Sequence, residues 1–245
     1  MNAALLAVQF LTRLPVRRSL DVSPAALGRS ALWYPAVGAL LGALLCATAA
    51  LAAPLGAGVA AVLVLVVWVL VTGALHLDGL ADTTDAFVGG GPDRARIHAI
   101  LKDPRCGPMG VVAIGLLLLV KHALLAALLA RGASAALLLA PLVARTALLG
   151  WLIALPPARP DGLAAAVSAA LPRRRGRLLV FVLLLVLLCS DTPGQAAGLA
   201  GLAGAWFWGR HQRARLGGCT GDTLGAGCEL LEAAVLLAIF VALAQ

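Results

Sequence analysis

The chain has 245 residues, of which 62% are hydrophobic and 12% are charged, and its mean hydropathy is +0.99. Soluble domains are typically about 45–50% apolar and about 25% charged, so this composition excludes an ordinary soluble protein and indicates an integral membrane protein. The net charge of +8 does not indicate a nucleic-acid partner, because Lys and Arg at span ends anchor a membrane protein and set its orientation. The five cysteines show no CxxC spacing, so we expect neither a disulfide framework nor a zinc site.

The apolar runs predict an all-α bundle, because they are long and lack the period-2 alternation of barrel strands. A span needs roughly 20 apolar residues. The candidate runs, in chain order, are 31–53, 59–75, 109–130, 133–155, 178–208 and 224–244. The run 178–208 is interrupted at 191–195, which predicts two short spans or a re-entrant pair. Residues 1–11 are too short to span, so we expect an interfacial or re-entrant segment and no cleavable signal peptide. The prediction is one integral membrane domain, residues 1–245, a polytopic bundle of about six to seven membrane segments.

The basic residues predict the orientation of this bundle. Alternation of the spans places four segments on one side, and these are 12–30, 76–108, 156–177 and 210–223. The opposite side receives 54–58, 131–132 and 191–195, and Arg131 is the only basic residue there. Because cytoplasmic loops carry the excess of Lys and Arg, we expect the first side, with its polar segments, to be the cytoplasmic active face.

An acidic segment, residues 72–110, holds five of the eleven acidic residues. In a helix, Asp78, Asp82 and Asp85 stand at i, i+4 and i+7 and share one face. Three like charges on one face repel, so such a cluster normally needs a cation. Oxygen ligands without a His/Cys pairing favour Mg²⁺ or Mn²⁺ over zinc. The sequence therefore predicts a metal site at a membrane surface.

The residues after this helix predict a turn and a phosphate site. The glycine run that leads to Pro92 should end the helix, and Asp93 can cap the short helix that follows. Lys102, Asp103 and Arg105 then lie beside a Gly-rich turn, as a phosphate site requires. The alternative is a loop whose charges merely face water.

Two basic residues, Lys121 and Arg145, lie well inside apolar runs. A charge at the centre of a span costs about 2.5–3.5 kcal/mol, so it usually faces the bundle interior with a partner. One interpretation is that both point toward the acidic site or its phosphorylated substrate, and the other is that they pair with Glu229 or Glu232. His76, at a span end, likewise has two readings: it binds phosphate or moves a proton, or it is structural.

A second polar island, residues 217–225, leads into the last span and contains four glycines among nine residues. Thr220 or Asp222 can cap that helix, whose N-terminal amides and positive dipole end would suit an anion. We therefore predict that Thr220, Gly221 and Thr223 bind phosphate or substrate. Asp222 is either a cap or a further metal ligand.

From the residues alone, carboxylates with Mg²⁺, cationic groups and Gly-rich anion sites predict a membrane phosphotransferase of unknown substrate. The absence of a GxxxxGK[ST] pattern argues against energy-driven hydrolysis. One alternative is a CDP-alcohol phosphotransferase, although its Asp-Gly-x-x-Ala-Arg signature is missing. The other is a transporter with its buried charges near the midplane, although no pseudo-symmetric halves are visible.

Four runs, spread in order over essentially the whole chain, carry a more specific signal. They are Leu11-Thr12-Arg13-Leu14-Pro15, Thr72-Gly73-Ala74-Leu75-His76-Leu77-Asp78-Gly79-Leu80-Ala81-Asp82-Thr83-Thr84-Asp85, Lys102-Asp103-Pro104-Arg105-Cys106-Gly107 and Thr220-Gly221-Asp222-Thr223-Leu224-Gly225-Ala226. Together they resemble the cobalamin synthase family, whose members are also called adenosylcobinamide-GDP ribazoletransferases.

That resemblance implies a Mg²⁺-dependent enzyme of the bacterial inner membrane. Its substrates would be adenosylcobinamide-GDP and α-ribazole or α-ribazole 5′-phosphate, and its products adenosylcobalamin or its phosphate, together with GMP. We expect Asp78, Asp82 and Asp85 to hold the metal, and Asp78 and Asp82 to be the catalytic pair, with Asp78 handling the hydroxyl proton. The lipid bilayer is the expected surrounding, and an association with other cobalamin-assembly enzymes is left open.

Overall fold

The computed structural model describes residues 2–244, and within them the fold is α-helical with no β-strand. The helices, in chain order, are α1 (Asn2–Leu11), α2 (Pro24–Ser30), α3 (Tyr34–Ala52), α4 (Ala57–Thr72), α5 (Leu75–Gly90), α6 (Arg94–Ile100), α7 (Pro108–Ala130), α8 (Ala135–Ala154), α9 (Leu163–Ala169), α10 (Arg173–Leu188), α11 (Thr192–Leu216) and α12 (Gly221–Ala242). Short 3₁₀ turns precede and follow α3. The predicted all-α class is confirmed.

Four helical segments are long and apolar enough to cross a membrane: Pro24–Leu55, which contains α3, and the helices α7, α8 and α12. The pair α4 and α5 passes the same test together but is bent by 85°, and would make a fifth span if it is one broken span. Within residues 2–244, α10 and α11 do not pass, and both carry several arginines at one end. The multi-pass class is therefore confirmed, while the count of six to seven segments stays a prediction.

The bend between α4 and α5 aims the acidic helix away from the axis of α4. Gly73 and Ala74 both adopt left-handed backbone angles there, with φ of 62° and 56°. The Arg13 amide donates to the Val71 carbonyl at 2.7 Å, and the Arg13 side chain occupies the place that a Cβ on Gly73 would need. Glycine fits this turn because it accepts a positive φ and has no side chain. The N-terminal segment thus packs directly against the bend.

The N-terminal helix packs against α2 and α3, whereas the C-terminal helix lies at the centre of the bundle. Helix α1 is only ten residues long and buries Leu6, Ala7 and Leu11 on the bundle, so it does not span by itself. Helices α8 and α12 are the most buried of the candidate spans and form the centre. Large apolar side chains such as Leu51 and Leu119 are exposed on the outside, where they would face hydrocarbon.

Helices α5 and α12 cross at very short range. A Cβ on Gly79 would lie 2.7 Å from the Asp222 carbonyl oxygen, and a Cβ on Gly225 would lie 3.3 Å from the His76 Cα. Small residues allow two helix backbones to approach this closely. The crossing brings the acidic segment against residues 217–225 at the start of α12.

Candidate active site

A cavity of about 270 Å³ lies where α5, the start of α12 and the loop before α9 meet. Its polar wall consists of His76, Asp78, Arg159, Thr220, Gly221 and Asp222. Its apolar wall is formed by side chains of α1, α3, α8 and α9, which include Phe10, Tyr34, Leu148, Leu152 and Val167. Such a cavity suits a ligand that has an apolar part at one end and polar or charged groups at the other.

Backbone hydrogen bonds fix the rim of the cavity. The Ala158 amide donates to the Cys219 carbonyl at 2.8 Å, and the Cys219 amide donates to the Pro156 carbonyl at 2.9 Å. This short parallel pairing joins the loop after α8 to the loop before α12. As a result Arg159 stands beside α12, with its Nη2 atom 3.9 Å from Oδ2 of Asp222. The guanidinium is held from the other side as well, because its Nε donates to Nδ1 of His98 at 3.4 Å.

The start of α12 is capped by two threonines. Thr220 Oγ1 accepts from the Thr223 amide at 3.2 Å, and Thr223 Oγ1 accepts from the Thr220 amide at 3.0 Å. The Thr223 hydroxyl also donates to Oε1 of the buried Gln212 at 2.7 Å. The predicted cap at Thr220 is confirmed. Both threonine hydroxyls are therefore engaged in the cap. An anion in the cavity would instead interact with the positive end of the α12 dipole, where Gly221 lines the cavity.

The three aspartates of α5 do not have equivalent surroundings. Asp78 is exposed and lines the cavity, whereas Asp82 is half-buried and does not line it. Asp82 is nevertheless close enough to Asp78, Asp85 and Asp222 for their charges to act on it. Four carboxylates thus share one neighbourhood, but only Asp78 and Asp222 face the cavity.

Asp85 has a structural role that the spacing argument did not foresee. Its Oδ2 accepts from the Gly107 amide at 2.7 Å, and its Oδ1 accepts from the Gly110 amide at 2.9 Å. Since both oxygens bind the start of α7, Asp85 ties the end of the acidic helix to the following span. The structure therefore assigns Asp85 to the cap of α7 and not to the wall of the cavity.

Replacing Asp85 by asparagine should lower the stability of the protein by about 1–3 kcal/mol, because asparagine can accept only one of the two amide hydrogen bonds. Thermal unfolding of the detergent-solubilised protein measures this change. The matched control is Asp93→Asn, at the confirmed N-cap of α6, where asparagine serves about as well as aspartate. A loss of activity in Asp85→Asn without any loss of stability would contradict the capping role.

A preformed metal centre is not present in the described part of the chain, where no three His, Cys, Asp or Glu side chains come together as a metal site. The predicted set of Asp78, Asp82, Asp85 and Asp222 is therefore not assembled around one point. Mg²⁺ is commonly held by one or two carboxylates together with waters and substrate phosphates. The two carboxylates in the cavity fit an ion that arrives with a phosphorylated substrate.

The predicted phosphate site at residues 102–105 lies outside the cavity. Arg105 donates from Nε and Nη2 to the two oxygens of Asp103, at 2.9 and 2.7 Å. These hydrogen bonds lower the pKa of Asp103 to about 2 and raise the pKa of Arg105. Lys102 and Arg105 are exposed. In the structure, residues 102–105 form a solvent-exposed loop, which was the alternative to a phosphate site.

Lys121 and Arg145 also lie away from the cavity wall, in a buried network. Lys121 Nζ donates to Oε2 of Glu229 at 2.5 Å and also contacts Glu232, and Arg145 Nη1 contacts the other oxygen of Glu232. Of the two interpretations of Lys121 and Arg145, the structure therefore supports pairing with Glu229 and Glu232. His76 connects the two regions, because its Nδ1 atom lies 3.2 Å from Arg145 Nη2 while the residue lines the cavity.

Sequence reasoning missed Arg159, the one guanidinium in the cavity wall among residues 2–244. The available signal was a single Arg in the Pro-rich stretch 156–160, directly after a span. No periodicity marks such a residue, and its partners His98 and Asp222 lie about sixty residues away on either side.

The fold and the cavity define a polytopic α-helical membrane protein with an amphipathic site, acidic on one wall, at one end of the bundle. The family model described as cobalamin-5-phosphate synthase matches residues 3–240. The chain belongs to this family and is a transferase of cobalamin biosynthesis. Neither alternative left by the residues, a CDP-alcohol phosphotransferase or a transporter, is favoured by any of these matches.

Individual relatives agree with the family match. A protein of Pseudomonas syringae pv. syringae (strain B728a) is 47% identical over 236 residues, which cover 96% of this chain and 97% of the relative. A protein of Pseudomonas putida (strain GB-1) is 48% identical over 242 residues, with 98% of each chain covered. Both are named adenosylcobinamide-GDP ribazoletransferase. No solved structure matches this chain.

Proposed function

We propose that this protein joins adenosylcobinamide-GDP to α-ribazole or α-ribazole 5′-phosphate, and forms adenosylcobalamin or its 5′-phosphate with release of GMP. The family match and the names of the relatives support the reaction. The observation that carries it to a site is the cavity lined by Asp78, Arg159 and Asp222 beside the start of α12, where Arg159 lies 3.9 Å from Asp222. Acid–base, cationic and helix-dipole groups meet there, as transfer of a phosphoryl group requires.

In the proposed reaction a ribose hydroxyl of the ribazole attacks the phosphorus nearest the cobinamide. The new P–O bond forms as the bond to the GMP phosphate breaks, and GMP leaves with the electron pair. Asp78 takes the proton of the hydroxyl, since it is the exposed carboxylate on the cavity wall. Arg159 and the N-terminal end of α12 stabilise negative charge on the phosphates.

Mg²⁺ is part of the proposal. Asp78 and Asp222 would hold the ion, and the bound ion would neutralise negative charge on the diphosphate of the substrate. Asp82 stands behind this pair, and its charge makes the neighbourhood more attractive to a cation.

The proposed location is a bacterial inner membrane with the cavity on the cytoplasmic side. Arg131 is the only basic residue at the opposite end of the helices within residues 2–244, whereas arginines cluster in the loops around the cavity. This distribution supports the orientation by the positive-inside rule. Association with other enzymes of cobalamin assembly stays a prediction.

The test uses the purified full-length protein in liposomes with Mg²⁺ and both substrates, and measures GMP by chromatography. GMP should appear only when both substrates are present, and it should vanish with a chelator and return with added Mg²⁺. A CDP-alcohol enzyme would instead release CMP from a CDP-linked donor. No GMP under any of these conditions would overturn the proposal.

Replacing Arg159 by glutamine should raise KM for adenosylcobinamide-GDP by about ten- to a hundredfold, since hydrogen bonds to charged groups contribute about 1.5–3 kcal/mol. Initial rates of GMP release over a range of substrate concentrations measure it. The control is Arg29→Gln, which removes an exposed guanidinium in the last turn of α2. Equal KM values for both variants and the wild type would remove Arg159 from the substrate site.

A further inference from the structure

His76 stands between the cavity and the buried ion-pair network. Its Nδ1 atom lies 3.2 Å from Nη2 of Arg145, and Nη1 of the same guanidinium contacts Glu232. The three side chains are almost completely buried, with 4% of His76 and none of Arg145 or Glu232 exposed. Glu232 therefore orients Arg145, and Arg145 in turn faces one particular nitrogen of the imidazole.

This contact determines which imidazole nitrogen carries hydrogen. A guanidinium has only N–H donors and no acceptor, and it keeps its charge in proteins. The Arg145 Nη2 group must therefore donate, and His76 Nδ1 must accept with its lone pair. A hydrogen on Nδ1 would point directly at a hydrogen of the guanidinium. The ring hydrogen consequently belongs on Nε2.

The second nitrogen, Nε2, is free to act in the cavity. It has no hydrogen-bond partner within residues 2–244, and it is not among the polar atoms that are fully buried without a partner. It therefore keeps access to open space, and the open space beside this residue is the cavity that His76 lines together with Asp78 and Gly225.

We propose that Glu232 and Arg145 are positioning residues that fix His76 as an Nε2–H donor, and that His76 donates this hydrogen to a phosphate oxygen of the substrate. The identity of the substrate rests on the proposed function, whereas the position of the hydrogen does not. A phosphate oxygen is the strongest acceptor that the reaction brings into the cavity, because hydrogen bonds to ionised acceptors are the stronger ones. A neutral donor is useful beside Asp78 and Asp222, since it attracts the phosphate without binding either carboxylate as a salt bridge.

The buried network explains why the donor is fixed. Glu232 also accepts from Lys121, so the carboxylate that holds Arg145 is itself held on its other oxygen. A histidine whose Nδ1 faced water could exchange tautomers, because the partner of one ring nitrogen decides where the hydrogen lies. Here that partner can only donate.

The first test reads the tautomer directly in the wild-type protein without substrate. The chain has four histidines, so ¹⁵N-histidine labelling gives a simple spectrum, and loss of one set of signals in His76→Leu assigns His76. The ¹⁵N chemical shifts should show an unprotonated Nδ1 and a protonated Nε2. A hydrogen on Nδ1, or on both nitrogens, would overturn the inference while leaving the proposed function intact.

The second test separates the donor from mere packing. His76→Gln keeps a neutral N–H donor of similar reach, whereas His76→Leu keeps only apolar volume. KM for adenosylcobinamide-GDP should rise at least about tenfold more in His76→Leu than in His76→Gln, which is the effect of one hydrogen bond to a charged group. Equal KM values for the two variants would overturn the donor role even if the tautomer is as expected. Absence of GMP release in the wild type would instead be a failure of the proposed function.

Arg145→Lys tests the positioning. A lysine keeps the charge beside Glu232 but lacks the planar fork that reaches two partners at once. The Nδ1–H tautomer should then appear in the spectrum, and KM should rise more than in Arg131→Lys, which changes an arginine at the opposite end of the helices. An unchanged tautomer and an unchanged KM in Arg145→Lys would remove Arg145 from the mechanism.

Discussion

Asp78→Asn should lower kcat for GMP release by about 10²–10⁴-fold, the usual contribution of a positioned acid or base. Asparagine has nearly the same size but cannot take a proton from the ribose hydroxyl, and it offers one neutral oxygen in place of a charged carboxylate. KM should change much less than kcat, because the group acts on the reacting hydroxyl. The measurement is the initial rate in liposomes at saturating concentrations of both substrates and Mg²⁺.

The neighbouring aspartates make this prediction specific. Asp82→Asn should have a smaller effect on kcat, because Asp82 does not line the cavity. Asp222→Asn should raise the Mg²⁺ concentration needed for half-maximal rate, as expected of a proposed ligand. Asp161→Asn, an exposed residue at the same end of the bundle, is the control and should behave like the wild type. Near wild-type turnover in Asp78→Asn would exclude it as the base.

Features that depend on neighbours in sequence could be predicted from the sequence. The caps at Asp93 and Thr220 require only a short polar side chain and amides two or three residues later, and both are present. The helices of the long apolar runs follow from length and apolarity, so α7 and α8 agree with the predicted runs within two residues.

Features that depend on distant partners could not be predicted in the same way. Asp85 has the spacing of a third ligand, yet its partners are amides more than twenty residues further along. At the 85° bend before α5, Gly73 lies against the side chain of Arg13, sixty residues earlier in the chain. Arg159 reaches the cavity only because two loops pair through Cys219. For Lys121 and Arg145 the sequence allowed both interpretations, since a charge inside a span needs a partner but does not specify it.

Substitutions in the buried ion-pair network should lower the free energy of unfolding more than the other substitutions proposed for this protein. Two cations, Lys121 and Arg145, face two carboxylates, Glu229 and Glu232, and all four are at least 95% buried. Lys121 also lies over the ring of Trp68, with Nζ 4.6 Å from its centroid. Glu232 is the only one of the carboxylates that contacts both cations within residues 2–244. Its replacement therefore leaves Arg145 without a carboxylate partner, whereas Lys121 keeps Glu229.

Glu232→Gln should destabilise the protein by about 3–5 kcal/mol, the usual cost of an unpaired buried charge, and lower its Tm in detergent. Glu229→Gln should cost less, because Lys121 then keeps Glu232 as a partner. The double variant Lys121→Met with Glu229→Leu removes one charge of each sign and leaves the Arg145–Glu232 pair balanced. It should therefore be more stable than Glu229→Gln alone, since replacing a buried ion pair by apolar residues is often neutral or stabilising. Two results would contradict these predictions. If the double variant is less stable than Glu229→Gln, the network contributes packing or hydrogen bonds that outweigh charge balance. If Glu232→Gln unfolds at the same temperature as the wild type, these side chains are not paired in the folded protein.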